Sequence, residues 1–423
     1  MRSEICARCR PLVALARRQI LRSTVQQQQQ RRNESTTNDA VAQIRGWAEE
    51  QAEEQTEKEK RRNVVFSGIQ PTGIPHLGNY LGALRQWKRL QDQAEGTDDR
   101  LLFSVVDLHA ITMPQEASQL RTRRREMLAS LMAVGLDPEK GSTIFFQSSV
   151  PQHTELMWIL SCTASMGYLS RMTQWKSKLN IHNKQAAFDE KAAQQLKLGL
   201  FSYPVLQAAD ILVHRATHVP VGADQTQHLE FARECATNFN ATFSDILVPP
   251  ETVIAPAPRI MSLQSPNNKM SKSAANHRSR ILLNAPAAEI ARRIRGAVTD
   301  SQNFVTWEPT TRPGVANLLE ILSQCGELAG AGAGTTTPRQ LAEERYAGAS
   351  LKALKDDVAA AVCAELAGVR ERYDDFLARK GGRWLDEIEA EGAEAARRSA
   401  EKTMRLVRHA VGIGPRPNAY NTL

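Results

Sequence analysis

The chain has 423 residues, 42% of them hydrophobic, and a formal net charge of +8. That length leaves room for two or more domains at roughly 100–200 residues each, and the apolar share is enough for a sizeable core. No apolar run approaches the ~18 residues of a membrane helix. The six cysteines are few and scattered, which fits a reducing compartment better than a disulfide framework. Cys6 and Cys9 form a CxxC with no second pair to complete a zinc site, so no resident metal is expected.

The charge is unevenly spread. Residues 1–33 hold eight arginines against the single acid Glu4, with Leu12, Val13, Leu15, Ile20 and Leu21 among them. An arginine-rich, acid-poor segment with a broken apolar pattern reads as a mitochondrial presequence rather than a secretory signal. Gln26 to Gln30 is a low-complexity run, and the Glu-rich stretch up to Arg62 has no apolar face to bury. Residues 34–61 therefore read as a charged linker, and the folded body is expected to start near Arg62.

The stretch 62–90, RNVVFSGIQPTGIPHLGNYLGALRQWKRL, reads as a strand (Val64, Val65, Phe66), a Gly/Pro-punctuated loop and a helix opening near Gly78. Leu77, Leu81, Leu84 and Trp87 recur at helical spacing. Gly68, Gly73 and Gly78 let the backbone approach a ligand closely. The first helical turn offers N–H groups that suit a phosphate, with His76 and Asn79 placed to reach the same ligand. The pattern is neither a P-loop nor GxGxxG, and taken alone it is equally an ordinary strand–loop–helix corner.

Leu101 to Asp107 and Thr143 to Ser149 are apolar runs suited to buried strands, separated by a helical stretch from about Ala117 to Val134 that Gly135 closes. Strand, helix, strand in this order predicts a parallel sheet with right-handed crossovers. A helical block follows from Thr154 to about Ala209, interrupted by the polar segment 179–197. Then come a second strand-to-helix corner, His218 to Gln225, and a Pro-interrupted strand, Ile246 to Ile254. After Pro286 strand-like runs cease. Leu351, Leu354, Val358, Val362, Leu366, Val369, Tyr373 and Phe376 keep a helical rhythm, as do Ala396, Ala400, Met404, Val407 and Val411. The expected architecture is an α/β, Rossmann-like parallel-sheet domain over 62–285, an all-α domain over 286–412 and a tail over 413–423.

Residues 267–273 read NNKMSKS. Alone, Lys269 and Lys272 are an ordinary solvated basic loop. A His-Leu-Gly-Asn at the start of a parallel sheet, followed by a Lys-Met-Ser-Lys-Ser after its last strand, resembles the paired signatures of class I aminoacyl-tRNA synthetases. The runs FSGIQPTG, PHLGNYLGAL, VVDLHAIT, RMTQWK, YPVLQAADIL, VPVGADQTQHLE, RIMSL and KMSKS come in the order seen in the tryptophanyl-tRNA synthetase family. The resemblance covers roughly Asn63 to Gly412 and is greatest to the mitochondrial, bacterial-type form.

That resemblance implies activation of L-tryptophan with ATP and Mg2+, transfer to tRNA(Trp), a homodimer, no membrane association, and work in the mitochondrial matrix. Gln70, Pro71 and Thr72 would line the ATP side, with Gly78 and Asn79 under the phosphates and His76 as the first histidine of the motif. Gly222, Ala223 and Asp224 would flank the ribose and Ile260 the adenine. Lys269, Met270, Ser271, Lys272 and Ser273 would hold the departing pyrophosphate, with Lys178 a further cation for that work. A lysine suits a moving charge because it is a compact point charge on a flexible stem. Asp210 would accept the indole N–H, and Phe66, Gly68, Tyr203, Gln207, Val219 and Val221 would wall the amino-acid pocket. His109, Gln70 and Gln225 would form its polar edge. The region 286–412 would bind the anticodon.

Ala223 stands where an acid is usual, Gln207 where many bacterial forms have methionine, and Ala274, Ala275, Asn276 where Asp-Pro usually follows the lysine motif. The alternatives are a tyrosyl-tRNA synthetase, which shares fold and signatures, a non-catalytic RNA-binding paralogue, and a small-molecule nucleotidyltransferase.

Overall fold

The computed structural model describes residues 62–178, 196–222, 225–254, 259–272, 274–325 and 336–414. The presequence and linker expectations, Ala223, Asp224, Ser273, nearly all of segment 179–197 and the side chain of Lys178 lie outside the described residues.

Five strands, β1 (Val64–Ile69), β2 (Arg100–Val105), β3 (Ser142–Phe146), β4 (His218–Val221) and β5 (Glu251–Ile254), form one parallel sheet in the order β3-β2-β1-β4-β5. β2 is buried from Leu101 to Val105, the continuous burial expected of a strand covered on both faces. Successive side chains point to opposite faces, so Val65, Leu101 and Phe103 join one hydrophobic cluster while Phe66, Leu102 and Phe145 join another.

The strands are shorter than the apolar runs that announce them. The run Thr143 to Ser149 leaves the sheet at Phe146, and Gln147–Ser149 forms a 3-10 turn because Asp107 takes the Ser148 N–H at 2.9 Å and the Ser148 hydroxyl at 2.6 Å. The Pro-interrupted run from Ile246 becomes a strand only at Glu251, past Pro249 and Pro250, which lack an N–H for a ladder.

The helix after β1 begins with the turn Leu77–Asn79, passes through a π-helical turn Tyr80–Leu84 and continues as α1 (Arg85–Ala94). Leu77, Leu81, Leu84 and Trp87 form its buried stripe, and Trp87 stacks on Phe103 with ring centroids 4.6 Å apart. Between β2 and β3 lie α2 (Asp107–Ala110) and α3 (Ala117–Ala133), the latter capped by the Glu116 carboxylate. The block after β3 divides into α4 (Gln152–Ser161), α5 (Met166–Arg171), α6 (Gln174–Lys178) and α7 (Leu198–Leu212). α8 (Thr226–Thr242) joins β4 to β5.

The helices that follow are α9 (Ala287–Arg295), α10 (Pro313–Cys325), α11 (Leu351–Glu365), α12 (Val369–Ala378) and α13 (Arg383–Ala410). They do not pack apart from the sheet. Ile290, Leu318, Leu354 and Val358 belong to the same cluster as Leu77, Val65 and Phe103. α13 contributes Leu385 to that cluster and Ala396, Ala400, Met404 and Val407 to the other. It touches the edge strand β3 at Gly392, where a Cβ would lie 1.8 Å from the Ile144 carbonyl oxygen. Only a residue without a side chain permits that approach. No helix among the described residues is long and apolar enough to cross a membrane.

Gly392→Ala is therefore expected to destabilise the protein by about 1–3 kcal/mol, the usual cost of overpacking, read as a lower urea midpoint. Gly199→Ala, where a Cβ meets nothing within 4 Å, should leave the midpoint unchanged or slightly raised. A midpoint for Gly392→Ala equal to wild type would show that α13 is not pressed against β3.

Candidate active site

In an open parallel sheet, ligands bind beyond the carboxyl ends of the strands where the strand order reverses. Here that point lies between β1 and β4. A cavity of about 410 Å³ occupies it, lined by Phe66, Gly68 and Gln70 from the end of β1 and by Val219, Val221 and Gly222 from β4. His109 from α2, Tyr203, Gln207 and Asp210 from α7, and Gln225 complete the set of expected amino-acid contacts, which share this one cavity.

Asp210 is only 1% exposed, and a buried carboxylate must be met by donors. His153 Nδ1–H donates to Oδ1 at 2.6 Å and His109 Nε2–H to Oδ2 at 2.8 Å. The Gln147 amide donates to both oxygens, at 2.7 and 2.9 Å. Gln147 is held in turn because its Oε1 accepts the N–H groups of Leu108 and His109 at 3.1 and 3.3 Å. Burial pushes the Asp210 carboxyl up, but the hydrogen bonds and charges of His109 and His153 outweigh it and hold the group down at about 2. Asp210 is thus an anion under apolar walls. A carboxylate has roughly four acceptor positions, and Gln147, which touches both oxygens, can withdraw to one when another donor arrives.

A second cleft of about 710 Å³ adjoins the first, lined by Thr72, His76, Gln115, Arg123, Met270, Ser271 and Lys272. Ile69, Gln70, Asn79 and Lys269 line both. The two signature motifs therefore meet in space although about 200 residues separate them in the chain. Lys272 Nζ–H donates to the Gly73 carbonyl at 3.1 Å, tying the lysine loop to the loop after β1. Gly73 sits at φ +109°, a conformation that favours glycine. Burial lowers the Lys272 ammonium to about 8, which leaves it mostly charged at neutral pH.

The histidine turn departs from expectation in one respect. His76 and Asn79 do not simply reach outward; they cap each other. Asn79 N–H donates to His76 Nδ1 at 3.2 Å, and His76 N–H donates to Asn79 Oδ1 at 3.1 Å. Leu77 N–H is taken by the Ile281 carbonyl at 2.8 Å. Two of the first-turn donors are thus already used within the protein. What the turn offers instead is the imidazole. Burial first, then the cations Lys272, Arg280 and Lys269, lower the ring to about 3, so it is neutral at physiological pH. With Nδ1 accepting, the proton sits on Nε2, leaving one N–H donor for the cleft. Gly78 lies beneath that ring: a Cβ there would sit 3.1 Å from His76 Cε1, so glycine is what lets the histidine lie flat on the helix.

Three expected nucleotide contacts line neither cavity. Pro71 is buried, and Gly78 sits under His76. Ile260 is 2% exposed in the core, its Cβ 3.5 Å from the Cβ position of Gly78. Ala223, Asp224, Ser273 and the Lys178 side chain are not described.

Sequence reading missed Gln147, His153, Gln115, Arg123 and Gln174. Gln147 carried a signal, a polar residue closing an apolar strand run at the end where ligands bind. Arg123 follows from topology alone: its guanidinium, bonded to Gln115 Oε1 at 3.1 Å, faces the cleft from α3. His153 has no local signal; it becomes meaningful only beside Asp210.

The family profile described as "tRNA synthetases class I (W and Y)" matches residues 58–367. The chain is 42% identical to the mitochondrial tryptophan–tRNA ligase of Schizosaccharomyces pombe over 355 residues, covering 82% of this chain and 95% of that protein. Among solved structures, tryptophanyl-tRNA synthetase from Mycoplasma pneumoniae superposes with a TM-score of 0.70 at 30% identity, covering 83% of this chain and 98% of that one. The Campylobacter jejuni enzyme, complexed with ADP and tryptophan, gives 0.64 at 30% identity over 82% and 99%.

Two buried histidines make stability sensitive to acid. Burial, then the charges of His153 and Arg100, holds His214 well below its ordinary 6.5, and His76 falls to about 3. The unfolded chain takes up these protons near pH 6.5 while the folded chain does not. Their contribution is therefore full above pH 6.5 and drains as pH falls below it, by up to about 1.4 kcal/mol per pH unit per ring. Urea unfolding at pH 7.5 and 5.5 should show a smaller acid loss in His214→Asn than in wild type; equal losses would clear His214 of the effect. With fold, cavities and both motifs in register, the chain belongs to the family of class I tRNA synthetases for tryptophan and tyrosine.

Proposed function

We propose that the two cavities are the two halves of an adenylating site, and that the chain is a tryptophan–tRNA ligase. It joins L-tryptophan to the α-phosphate of ATP, releases pyrophosphate and passes the aminoacyl group to tRNA(Trp). The 42% identity to a mitochondrial tryptophan–tRNA ligase over most of both chains supports this reading. The observation that carries it is the junction: an amino-acid-sized cavity with a buried anion opens, across Gln70, Asn79 and Lys269, onto a cleft lined by cations.

The amino-acid carboxylate is already a nucleophile, so the reaction asks for positioning and charge stabilisation rather than a general base. Asp210 accepts the indole N–H. Phe66, Val219 and Val221 flank the ring, with Gly68 leaving room beside it. Tyr203, whose hydroxyl bonds His228 Nε2 at 2.8 Å, stands with His109, Gln207 and Gln225 at the polar rim. Gln70 and Thr72 sit where the amino-acid carboxylate meets the α-phosphate. Neutral His76 donates Nε2–H to a phosphate oxygen without adding charge, while Lys269 and Lys272 follow the departing pyrophosphate. Gly222, with Ala223 and Asp224, flanks the ribose. No cluster of three or more His, Cys, Asp or Glu among the described residues is arranged to hold a metal. Mg2+ enters as the companion of the ATP phosphates, the usual way this ion is bound.

A phenylalanine-like ligand brings no donor to Asp210, whereas the indole N–H gains a charge-assisted hydrogen bond there. The tyrosine alternative lacks support of comparable strength, and a silent paralogue has no use for two lysines aimed into the cleft. We further infer a homodimer. Trp158, Met166 and Leu198 are 74%, 65% and 79% exposed on α4, α5 and α7, large apolar residues that a second copy would cover. Residues 286–412 provide the anticodon-binding region. The arginine-rich residues 1–33 and the mitochondrial relative support action in the mitochondrial matrix.

Pyrophosphate exchange with each amino acid tests the reading. Exchange should depend on tryptophan and fall to background with tyrosine or phenylalanine; exchange driven by tyrosine and not by tryptophan would overturn it.

A further inference from the structure

Behind the amino-acid cavity lies a row of buried polar side chains that no binding or catalytic step yet uses. Asp210 accepts from His153 Nδ1–H; His153 Nε2 lies 3.1 Å from His214 Nε2; His214 Nδ1 lies 3.2 Å from the Ser399 hydroxyl. His153 is 0% exposed, His214 3% and Ser399 5%. The chain is continuous, and its ends belong to different parts of the molecule. Asp210 is on α7 in the cavity, whereas Ser399 is on α13, nearly 190 residues later. The row is walled by aromatic rings. His214 stacks on Phe66 at 6.0 Å and meets Phe145 edge-on at 5.5 Å, and Phe145 tilts against His153 at 5.9 Å. Phe66 is itself a wall of the cavity.

The direction of the hydrogen bonds follows from chemistry. Asp210, an anion, can only accept, so His153 carries its proton on Nδ1. Beyond it the two facing Nε2 atoms share a proton between them, and His214 Nδ1 pairs with the Ser399 hydroxyl, which can donate or accept to match. Each member therefore has one assigned partner on each side, and none can turn without leaving a buried polar atom unpaired.

From this geometry we infer that His153, His214 and Ser399 are positioning residues for tryptophan recognition: they fix the Asp210 carboxylate and tie it to the C-terminal helix. His109 holds the carboxylate from the cavity side, Gln147 braces both its oxygens from the end of β3, and the row holds it from behind. α13 also contacts β3 at Gly392 and pairs Arg408 with Glu155 of α4 at 2.6 Å. A shift of α13 would therefore reach the side chain that reads the indole. This rests on the assignment of Asp210 to that N–H.

Steady-state pyrophosphate exchange by the full chain, with tryptophan and ATP varied in turn, tests it. His153→Leu should raise the KM for tryptophan tenfold or more and leave the KM for ATP within twofold. His153→Asn, whose amide N–H can take the place of Nδ1–H, should recover to within threefold of wild type. Ser399→Ala should raise the tryptophan KM alone, by two- to fivefold. Should His153→Leu fail to fold, His153→Gln, which carries its N–H too far along the side chain to serve Asp210, replaces it with the same expectation. An unchanged tryptophan KM, or parallel losses toward both substrates that Asn does not rescue, overturns the row. Asp210→Ala separates the two layers: if it raises the tryptophan KM and His153→Leu does not, only the row is wrong, and if it does not, both assignments fall.

Discussion

A carboxylate shut away from water is the constraint on which the site depends. Asp210 is 1% exposed and nevertheless ionised, a state that is costly unless every face of the group finds a donor. Its donors come from three places in the chain. Gln147 stands where β3 ends, His109 sits on the short α2 after β2, and His153 lies in the first turn of α4. The early ending of β3 serves the same carboxylate. Asp107 draws Ser148 out of line, and the resulting turn aims Gln147 at Asp210 rather than along the sheet. Strand ends, helix starts and pocket chemistry are thus set by one requirement.

The neighbouring cleft solves the opposite problem. It gathers cations where the first cavity holds an anion. Its permanent charge comes from flexible lysines and Arg123, whereas His76, at the centre, is kept neutral by burial and by those cations. A neutral ring offers the cleft a donor without adding to its charge. The mutual cap of His76 and Asn79 fixes the ring, and Gly78 makes room for it. Lys272 bonds to the Gly73 carbonyl, so the lysine loop rests against the loop after β1.

Much of this was legible in the sequence because period and punctuation are local. The helical stripe Leu77, Leu81, Leu84, Trp87 and the apolar run Leu101 to Val105 declare their faces without help from the rest of the chain. The ten residues expected around the amino acid share one cavity because strand ends and one helix face carry them. What stayed hidden depends on contacts between distant segments. Nothing near His153 distinguishes it from a core histidine, and Ser399 looks like any small residue on a long helix. Ile260 is buried against the Gly78 turn, a packing partner that no local pattern records. The helices after Pro286 read correctly as helices, but only the three-dimensional core reveals that Ile290 and Leu354 share it with β1 and β2.

In the proposed function one buried anion, presented to the cavity by fixed donors, reads the indole N–H. The most direct measurement replaces that N–H and nothing else. Activation kinetics should be compared for tryptophan and for its benzothiophene analogue, in which sulfur occupies the nitrogen position. Loss of a ligand donor from a site built to receive it should cut kcat/KM by about a hundredfold or more, and Asp210→Ala should erase most of that preference. Equal kcat/KM for the two amino acids in the wild-type chain would contradict the account.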